Sequence, residues 1–98
     1  MLTKQSQSML YLINFDIKDN TRKDNFLYSI KDLGNFHVFM PGALFLDCSH
    51  LGMDKNSICN ELKKILNDVD LILVVEIRFD HMSGWLTSSA VGWLKGEK

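Results

Sequence analysis

Residues 36–48, FHVFMPGALFLDC, decide the fold of this chain. Two runs of aliphatic and aromatic residues, 36–40 and 43–48, flank the pair Pro41-Gly42. Runs of this kind favour β-strands, and a Pro-Gly pair between them favours a tight turn. The stretch therefore predicts a β-hairpin in the middle of the chain.

A strand and a helix are predicted before the hairpin. Residues 9–17 carry apolar side chains on both alternate faces, which is typical of a strand that is covered on both sides. A helix is expected over about 22–33, because Asn20 and Thr21 can cap its start and Gly34 can end it.

A second helix and a last strand are predicted after the hairpin. Residues 54–67 repeat apolar side chains at helical spacing, and residues 70–78 form a strongly apolar run. We expect one set of side chains in this run to face the helices: Leu71, Leu73, Val75 and Ile77. The open face of the sheet is then expected to carry Ile72, Val74, Glu76 and Arg78 beside Leu10, Leu12, Asn14 and Asp16.

The order strand, helix, strand, strand, helix, strand predicts an α+β fold of the ferredoxin-like βαββαβ type. Its expected architecture is a four-stranded antiparallel sheet with two helices on one face. At 98 residues the chain is expected to form a single domain, with a flexible N-terminus (1–8), a core (9–78) and a C-terminal tail (79–98). In the tail a short helix capped at Thr87-Ser88 is favoured over an extra edge strand.

Apolar residues on an open sheet face need a cover. The sequence leaves two candidates for it, the tail with Trp85 and Trp93 or a second copy of the chain across a two-fold axis. We expect both tryptophans to pack on the sheet or on a partner subunit, because neither has the neighbouring arginines that would favour stacking on bases. A homodimer is therefore predicted.

Composition narrows the cellular setting and the partners. The chain has 11 Lys and Arg against 12 Asp and Glu and no charged tail, so nucleic-acid binding would need a local patch. The cysteines Cys48 and Cys59 have no metal-type spacing and are expected to be reduced. No signal peptide or membrane-length apolar run occurs, which predicts a cytoplasmic protein without a membrane partner.

Several segments together resemble a known family. They are residues 9–23, the helix end Leu33-Gly34, and residues 42–46 and 66–74. This pattern resembles the CRISPR-associated Cas-two family, and more closely its small VapD-type and SinR-like relatives, whose chains end in a tryptophan-containing segment similar to residues 84–95. The resemblance implies a ferredoxin-like protomer that dimerises through its sheet, with a strand-end aspartate of each subunit near the two-fold axis.

Asp16 is the residue that matches this aspartate. In relatives it has been assigned to metal-dependent cleavage of RNA or DNA, which implies a catalytic role for Asp16, whereas other members only scaffold a partner complex. This chain departs from the family at Met40-Pro41-Gly42, where many relatives carry polar residues that include a serine, and in its near-neutral charge. Two hypotheses stay open: a nuclease, or a non-catalytic protein-interaction module in phage defence or counter-defence.

The predicted topology brings several charged residues to the end of the sheet at which Asp16 lies. Asp16, Asp19, Asp68 and Asp70 are hypothesised to bind Mg²⁺ or Mn²⁺, because carboxylate oxygens suit these ions. Arg22 and Lys23 are hypothesised to contact nucleic-acid phosphates. The alternative is that the last three aspartates are turn or solvated residues and that Arg22 and Lys23 form a solvated pair.

The opposite end of the sheet is predicted to collect a second set of metal-binding residue types, namely His37, His50, Asp54, Asp80 and His81. They could bind zinc, but their spacing matches no zinc motif, so ordinary surface and turn roles are favoured. The sequence also has no G-x-S-x-G element, Gly-rich phosphate loop or Cys-His nucleophile pair, which argues against the common hydrolases and nucleotide-binding proteins.

Overall fold

The computed structural model describes residues 10–49 and 51–96. The predicted N-terminal segment 1–8, Met9, His50 and the last two residues of the predicted tail lie outside the described residues. The elements, in chain order, are β1 Leu10–Asp16, α1 Asn20–Leu33, β2 Asn35–Met40, β3 Ala43–Asp47, α2 Lys55–Lys63, β4 Leu71–Ile77 and α3 Ser88–Leu94. This order confirms the predicted ferredoxin-like α+β fold with its additional C-terminal helix.

The four strands form one antiparallel sheet in the order β2-β3-β1-β4. Leu12 of β1 lies opposite Phe45 of β3 on one side and opposite Val75 of β4 on the other. Residues that face each other across an antiparallel pair point to the same side of the sheet. The register therefore assigns every strand residue to the helix-covered face or to the open face.

The main core lies between the sheet and helices α1 and α2. Tyr11 and Ile13 of β1 are buried there against Phe26 of α1 and Leu62 of α2. The Tyr11 hydroxyl donates to the carbonyl oxygen of Met53 at 2.8 Å, and burial is the main reason why the pKa of Tyr11 is raised to about 12. The phenol therefore stays protonated and holds the loop before α2 against the sheet.

The prediction for the two faces of β4 is wrong. Val74 lies opposite Ile13 and packs against the main core with Ile72, whereas Leu71, Leu73, Val75 and Ile77 lie on the open face. One alternating set of β4 is wholly aliphatic and the other contains Glu76, so the polarity of the strand favours the wrong set as the buried one. A one-residue slip exchanges the two sets, and only the pairing with β1 determines the register.

Helix α3 covers part of the open face and confirms the predicted tail helix. Thr87 is its N-cap, and its hydroxyl oxygen accepts from the Ala90 N–H at 3.2 Å. Trp93 is buried, with its ring stacked at 6.1 Å from that of Phe45 and its Nε1–H donating to Asn35 Oδ1 at 3.1 Å. The predicted packing of Trp93 on the sheet is confirmed. Trp85 is fully exposed, so it does not pack on the sheet of its own chain, and its packing on a partner subunit stays a prediction.

The helix boundaries differ from the predicted ones for local reasons. Helix α1 starts at Asn20 because Asp19, not Asn20 or Thr21, is its N-cap. Helix α2 starts after the N-cap Asp54 and ends at Lys63, where the hydrogen bonds tighten and the chain enters turns that lead to β4. Gly34 ends α1 as predicted, and a Cβ atom there would lie 2.1 Å from the Asp47 carbonyl oxygen.

Candidate functional site

Asp16 lies at the end of the sheet where β1 ends, β4 begins and the β2–β3 turn closes. In the register it is opposite Leu71 on the open face. The Phe15 N–H donates to the Gly42 carbonyl oxygen at 2.8 Å, and Gly42 has a positive φ of 74°. A Cβ atom at Gly42 would lie 2.8 Å from the Phe15 carbonyl oxygen, so the turn can pack this closely on β1 only with glycine.

Asp70 and Arg22, two of the predicted site residues, form an ion pair at this end of the sheet. Arg22 Nε donates to Asp70 Oδ2 at 2.8 Å and Nη2 donates to Oδ1 at 3.1 Å. The backbone N–H groups of Lys18 and Asn67 donate to the same two oxygens at 2.9 Å each. The Asp70 side chain is 0% exposed, and the Arg22 guanidinium is the main reason why the pKa of Asp70 is held well below its usual range.

The contacts of Asp70 do not fit a metal ligand. Four N–H donors surround its two oxygens, and a cation placed there would have to displace them. The pair instead ties the first turn of α1 and the β1–α1 loop to the start of β4, which is a structural role. The hydrogen bonds to Asp70 raise the pKa of Arg22, so its guanidinium group is engaged in this ion pair. Lys23, the other residue predicted to contact phosphates, is exposed.

Asp19 and Asp68 are separate from that pair. Asp19 Oδ2 accepts from the Arg22 backbone N–H at 2.9 Å as the α1 cap, and Asp68 is an exposed residue of the turn before β4. Within residues 10–49 and 51–96, no group of three or more His, Cys, Asp or Glu side chains is arranged to hold a metal. The hypothesised four-aspartate metal site is therefore not assembled in the described part of one chain. The cap of α1 accounts for Asp19, and the ion pair with Arg22 accounts for Asp70.

Asp16 itself is accessible. Its Oδ2 accepts from Lys18 Nζ at 2.7 Å, and the two side chains are 57% and 54% exposed. Ion pairs between exposed side chains contribute little to stability and are screened by salt. Asp16 therefore differs from Asp70 in that its carboxylate can be approached from the open face of the sheet.

The residues of the second predicted set each have a separate role. The ring of His37 stacks at 6.2 Å from that of Trp93, Asp54 caps α2 by accepting from the Ser57 N–H at 2.8 Å, and Asp80 pairs with Arg78 at 3.2 Å. His81 is exposed in the 3₁₀ turn Phe79–His81, and His50 lies outside the described residues. These contacts favour the surface and cap roles over the zinc hypothesis.

The open face carries an apolar surface whose residues differ from the ones that the sequence analysis assigned to it. Leu71, Leu73 and Val75, which we call the β4 stripe, are 65%, 58% and 36% exposed. The sequence prediction had placed them under the helices. Glu76 lies on the helix-covered face of β4 and makes the local pattern misleading, so the stripe is recognised only from the pairing of β4 with β1.

An apolar groove of about 760 Å³ lies beside the β4 stripe, between the sheet and the segment that leads to α3. Its floor includes Leu12, Phe39 and Phe45, and Met82 and Leu86 form part of its wall. Trp85 stands at its rim with its side chain fully exposed. The open face thus carries both a recess and a protruding aromatic side chain.

Membrane insertion through a helix is not supported by the described residues, since none of their helices combines the length and apolar character that crossing a bilayer needs.

Comparison with known proteins shows a likeness of fold. No family model matches the chain, and no curated protein matches it. A solved structure, that of a hypothetical protein TT1823 from Thermus thermophilus, superposes with a TM-score of 0.57 over 83% of this chain and 96% of that one, at 16% sequence identity. At this identity the match shows that the two chains share a fold.

Proposed function

We propose that the protein is a cytoplasmic homodimer that acts as a protein-interaction module through the open face of its sheet. The β4 stripe carries this proposal: three consecutive open-face residues of one strand are aliphatic and exposed. A contiguous apolar patch on a sheet face is typical of a binding surface. The resemblance to the Cas-two family would place such a module in phage defence or counter-defence.

A second copy of the chain fits this surface. The net charge of −1 creates little repulsion between copies, and the stripe itself carries no charged side chain. The stripe lies on an outer strand of the sheet, so a two-fold axis beside it would bring the same side chains of both copies together. Exposed Phe79 and Trp85 extend the apolar surface beyond the stripe.

Two matched valines test the proposal. Val75 on β4 and Val38 on β2 lie on the two outer strands and are 36% and 43% exposed, but Val38 lies opposite Leu44, a residue of the helix-side core. We expect wild type and Val38→Asp to sediment as dimers at micromolar concentration. Val75→Asp is expected to sediment as a folded monomer, because the interface would bury an unpaired charge.

Circular dichroism of the three proteins checks that each one is folded. A wild-type protein that stays monomeric throughout the concentration range contradicts the proposal. If the Val75→Asp protein is folded and still dimeric, the dimer interface lies away from the stripe.

Metal-dependent nuclease activity is the second candidate function. The observation that favours it is the position of Asp16, exposed and on the same face as the stripe, opposite Leu71. A dimer formed through this face would present one Asp16 from each protomer on a shared surface. In this hypothesis the two Asp16 carboxylates would hold Mg²⁺ or Mn²⁺, and exposed Lys23 would contact the nucleic acid.

Asp16→Asn tests the nuclease hypothesis, with Asp68→Asn as a control at another exposed aspartate of the same end of the sheet. A nuclease predicts Mg²⁺- or Mn²⁺-dependent cleavage of short RNA or DNA by wild type and Asp68→Asn, and its loss in Asp16→Asn with fold and dimer retained. Absence of cleavage by the wild-type dimer would leave the interaction module as the function.

A further inference from the structure

We infer that Trp85 of one copy inserts into the apolar groove of a second copy, and that two such insertions across the two-fold axis form the centre of the homodimer. This inference rests on the proposed dimer and names the residue and the recess that hold it together. It depends on two features of the open face, the exposure of Trp85 and the shape of the groove.

The exposure of Trp85 is unusual for its residue type. Its side chain is 100% exposed, whereas Trp93, eight positions later on the same tail, is 6% exposed. A fully exposed indole presents roughly 200 Å² of surface to water, which is unfavourable for a side chain of this size. A Cβ atom built on the preceding residue, Gly84, meets nothing within 4 Å, so the space beside this residue is open.

The groove has the size and chemistry to receive such a ring. Its volume of about 760 Å³ is several times that of one indole. Phe45 on its floor is 3% exposed and stacks with Phe39 at a centroid distance of 4.1 Å and an interplanar angle of 12°, so the accessible apolar surface comes from half-buried Phe39 and Leu12. An indole bound there would replace contact with water by contact with the Phe39 ring and with Leu12.

The tryptophan and the groove are complementary between copies. Trp85 borders the groove of its own chain and does not fill it, since its side chain remains wholly exposed. A protrusion and a recess on one face form a self-matching pair under two-fold symmetry, because each copy offers one and receives the other. A standard interface buries about 800 Å² from each partner, and Trp85 alone would supply roughly a quarter of it.

Dissociation constants measured by sedimentation test the inference on the full chain. Trp85→Ala is compared with Tyr28→Ala, an aromatic residue of α1 that is 70% exposed on the other side of the sheet. We expect Trp85→Ala to weaken the dimer roughly 30-fold or more, the change typical of a tryptophan at the centre of an interface. Tyr28→Ala should leave the dissociation constant within about twofold of the wild-type value.

Tryptophan emission gives an independent readout. Buried Trp93 contributes a constant blue-shifted signal, so a concentration-dependent blue shift and loss of iodide quenching in the wild type would report burial of Trp85 on dimerisation. The folded Val75→Asp monomer should show no such change.

Three outcomes would overturn the inference. If wild type and Trp85→Ala dimerise equally well, the proposed homodimer survives and the role of Trp85 fails. If Trp85 emission is blue-shifted at every concentration, including in the Val75→Asp monomer, the indole occupies its own groove. If the wild type is monomeric, the proposed function and the inference fail together.

Discussion

Apolar side chains occur on both faces of the sheet, and the two faces differ in what covers them. On the helix side Leu44 and Leu46 are 0% exposed. On the open side Phe45, which lies under Trp93, is 3% exposed, whereas Leu71 is 65% exposed. Because these four residues are all apolar, the difference indicates that burial here is decided by the presence of a covering element.

The largest expected effect is the difference in stability between variants at the two tryptophans of the tail. Trp93→Ala should lower the free energy of unfolding by about 3–5 kcal/mol, because it removes the ring on Phe45 and leaves a cavity under α3. Trp85→Ala should change it by less than about 0.5 kcal/mol in the monomer, since the side chain has no burial to lose. Urea unfolding at concentrations below the dimer dissociation constant measures both.

Equal destabilisation by the two tryptophan substitutions would mean that Trp85 is packed in the monomer. The distinction between a covered and an uncovered half of the open face would then fail.

Val74 and Val75 are neighbours in β4 that lie on opposite faces of the sheet, so substitutions of the two compare these faces within one strand. Val74 packs against the helix-side core, so Val74→Asp should destabilise the fold by about 3 kcal/mol through burial of an unpaired carboxylate. Val75→Asp should keep the thermal transition of the monomer. Thermal unfolding followed by circular dichroism distinguishes them, and a reversed order would indicate that the register of β4 is shifted by one residue.

Substitutions of Asp70 and Asp16 compare a buried carboxylate with an exposed one at the same end of the sheet. Asp70→Asn should lower the melting temperature at neutral pH by roughly 5 °C or more, because it removes the charged partner of Arg22. Asp16→Asn, at an exposed pair, should shift it by less than about 2 °C.

The pH dependence of the Asp70 effect has a defined sign. The folded protein holds the pKa of Asp70 below its usual range, so the pair stabilises the fold above the unfolded pKa of about 3.9 and loses this contribution as the pH falls towards the folded pKa. The gap in melting temperature between wild type and Asp70→Asn should be constant above about pH 5 and narrow below about pH 4. A gap that widens in acid would contradict the ion-pair assignment.

The smallest expected effect concerns the cap that starts α3 on the open face. Thr87→Ala should cost about 1 kcal/mol, because the Ala90 N–H loses its side-chain acceptor. Thr87→Ser retains the hydroxyl and serves as the control. If α3 is the cover of Phe45, Thr87→Ala should also increase iodide quenching of Trp93, which would stay unchanged if the helix contributed nothing to that burial.

Local patterns predicted most of the fold. The Pro41-Gly42 hairpin, the end of α1 at Gly34 and the capped helix after Thr87 all depend on residues a few positions apart, and the structure confirms each. The element order then restricts the topology to the ferredoxin-like arrangement, because short connections and right-handed crossovers leave few alternatives. The sequence also placed Asp16 at the end of a strand.

Tertiary structure decided which residues face outward and which charges are already paired. Leu71 and Ile72 are both aliphatic, so only the hydrogen-bonded register with β1 selects the exposed one. Asp16 and Asp70 both flank strands in the sequence, but Asp70 meets Arg22, 48 positions away, and is buried, whereas Asp16 pairs with nearby Lys18 and stays open to solvent. Contacts between residues so far apart leave no trace in local periodicity, because they depend on how whole elements pack.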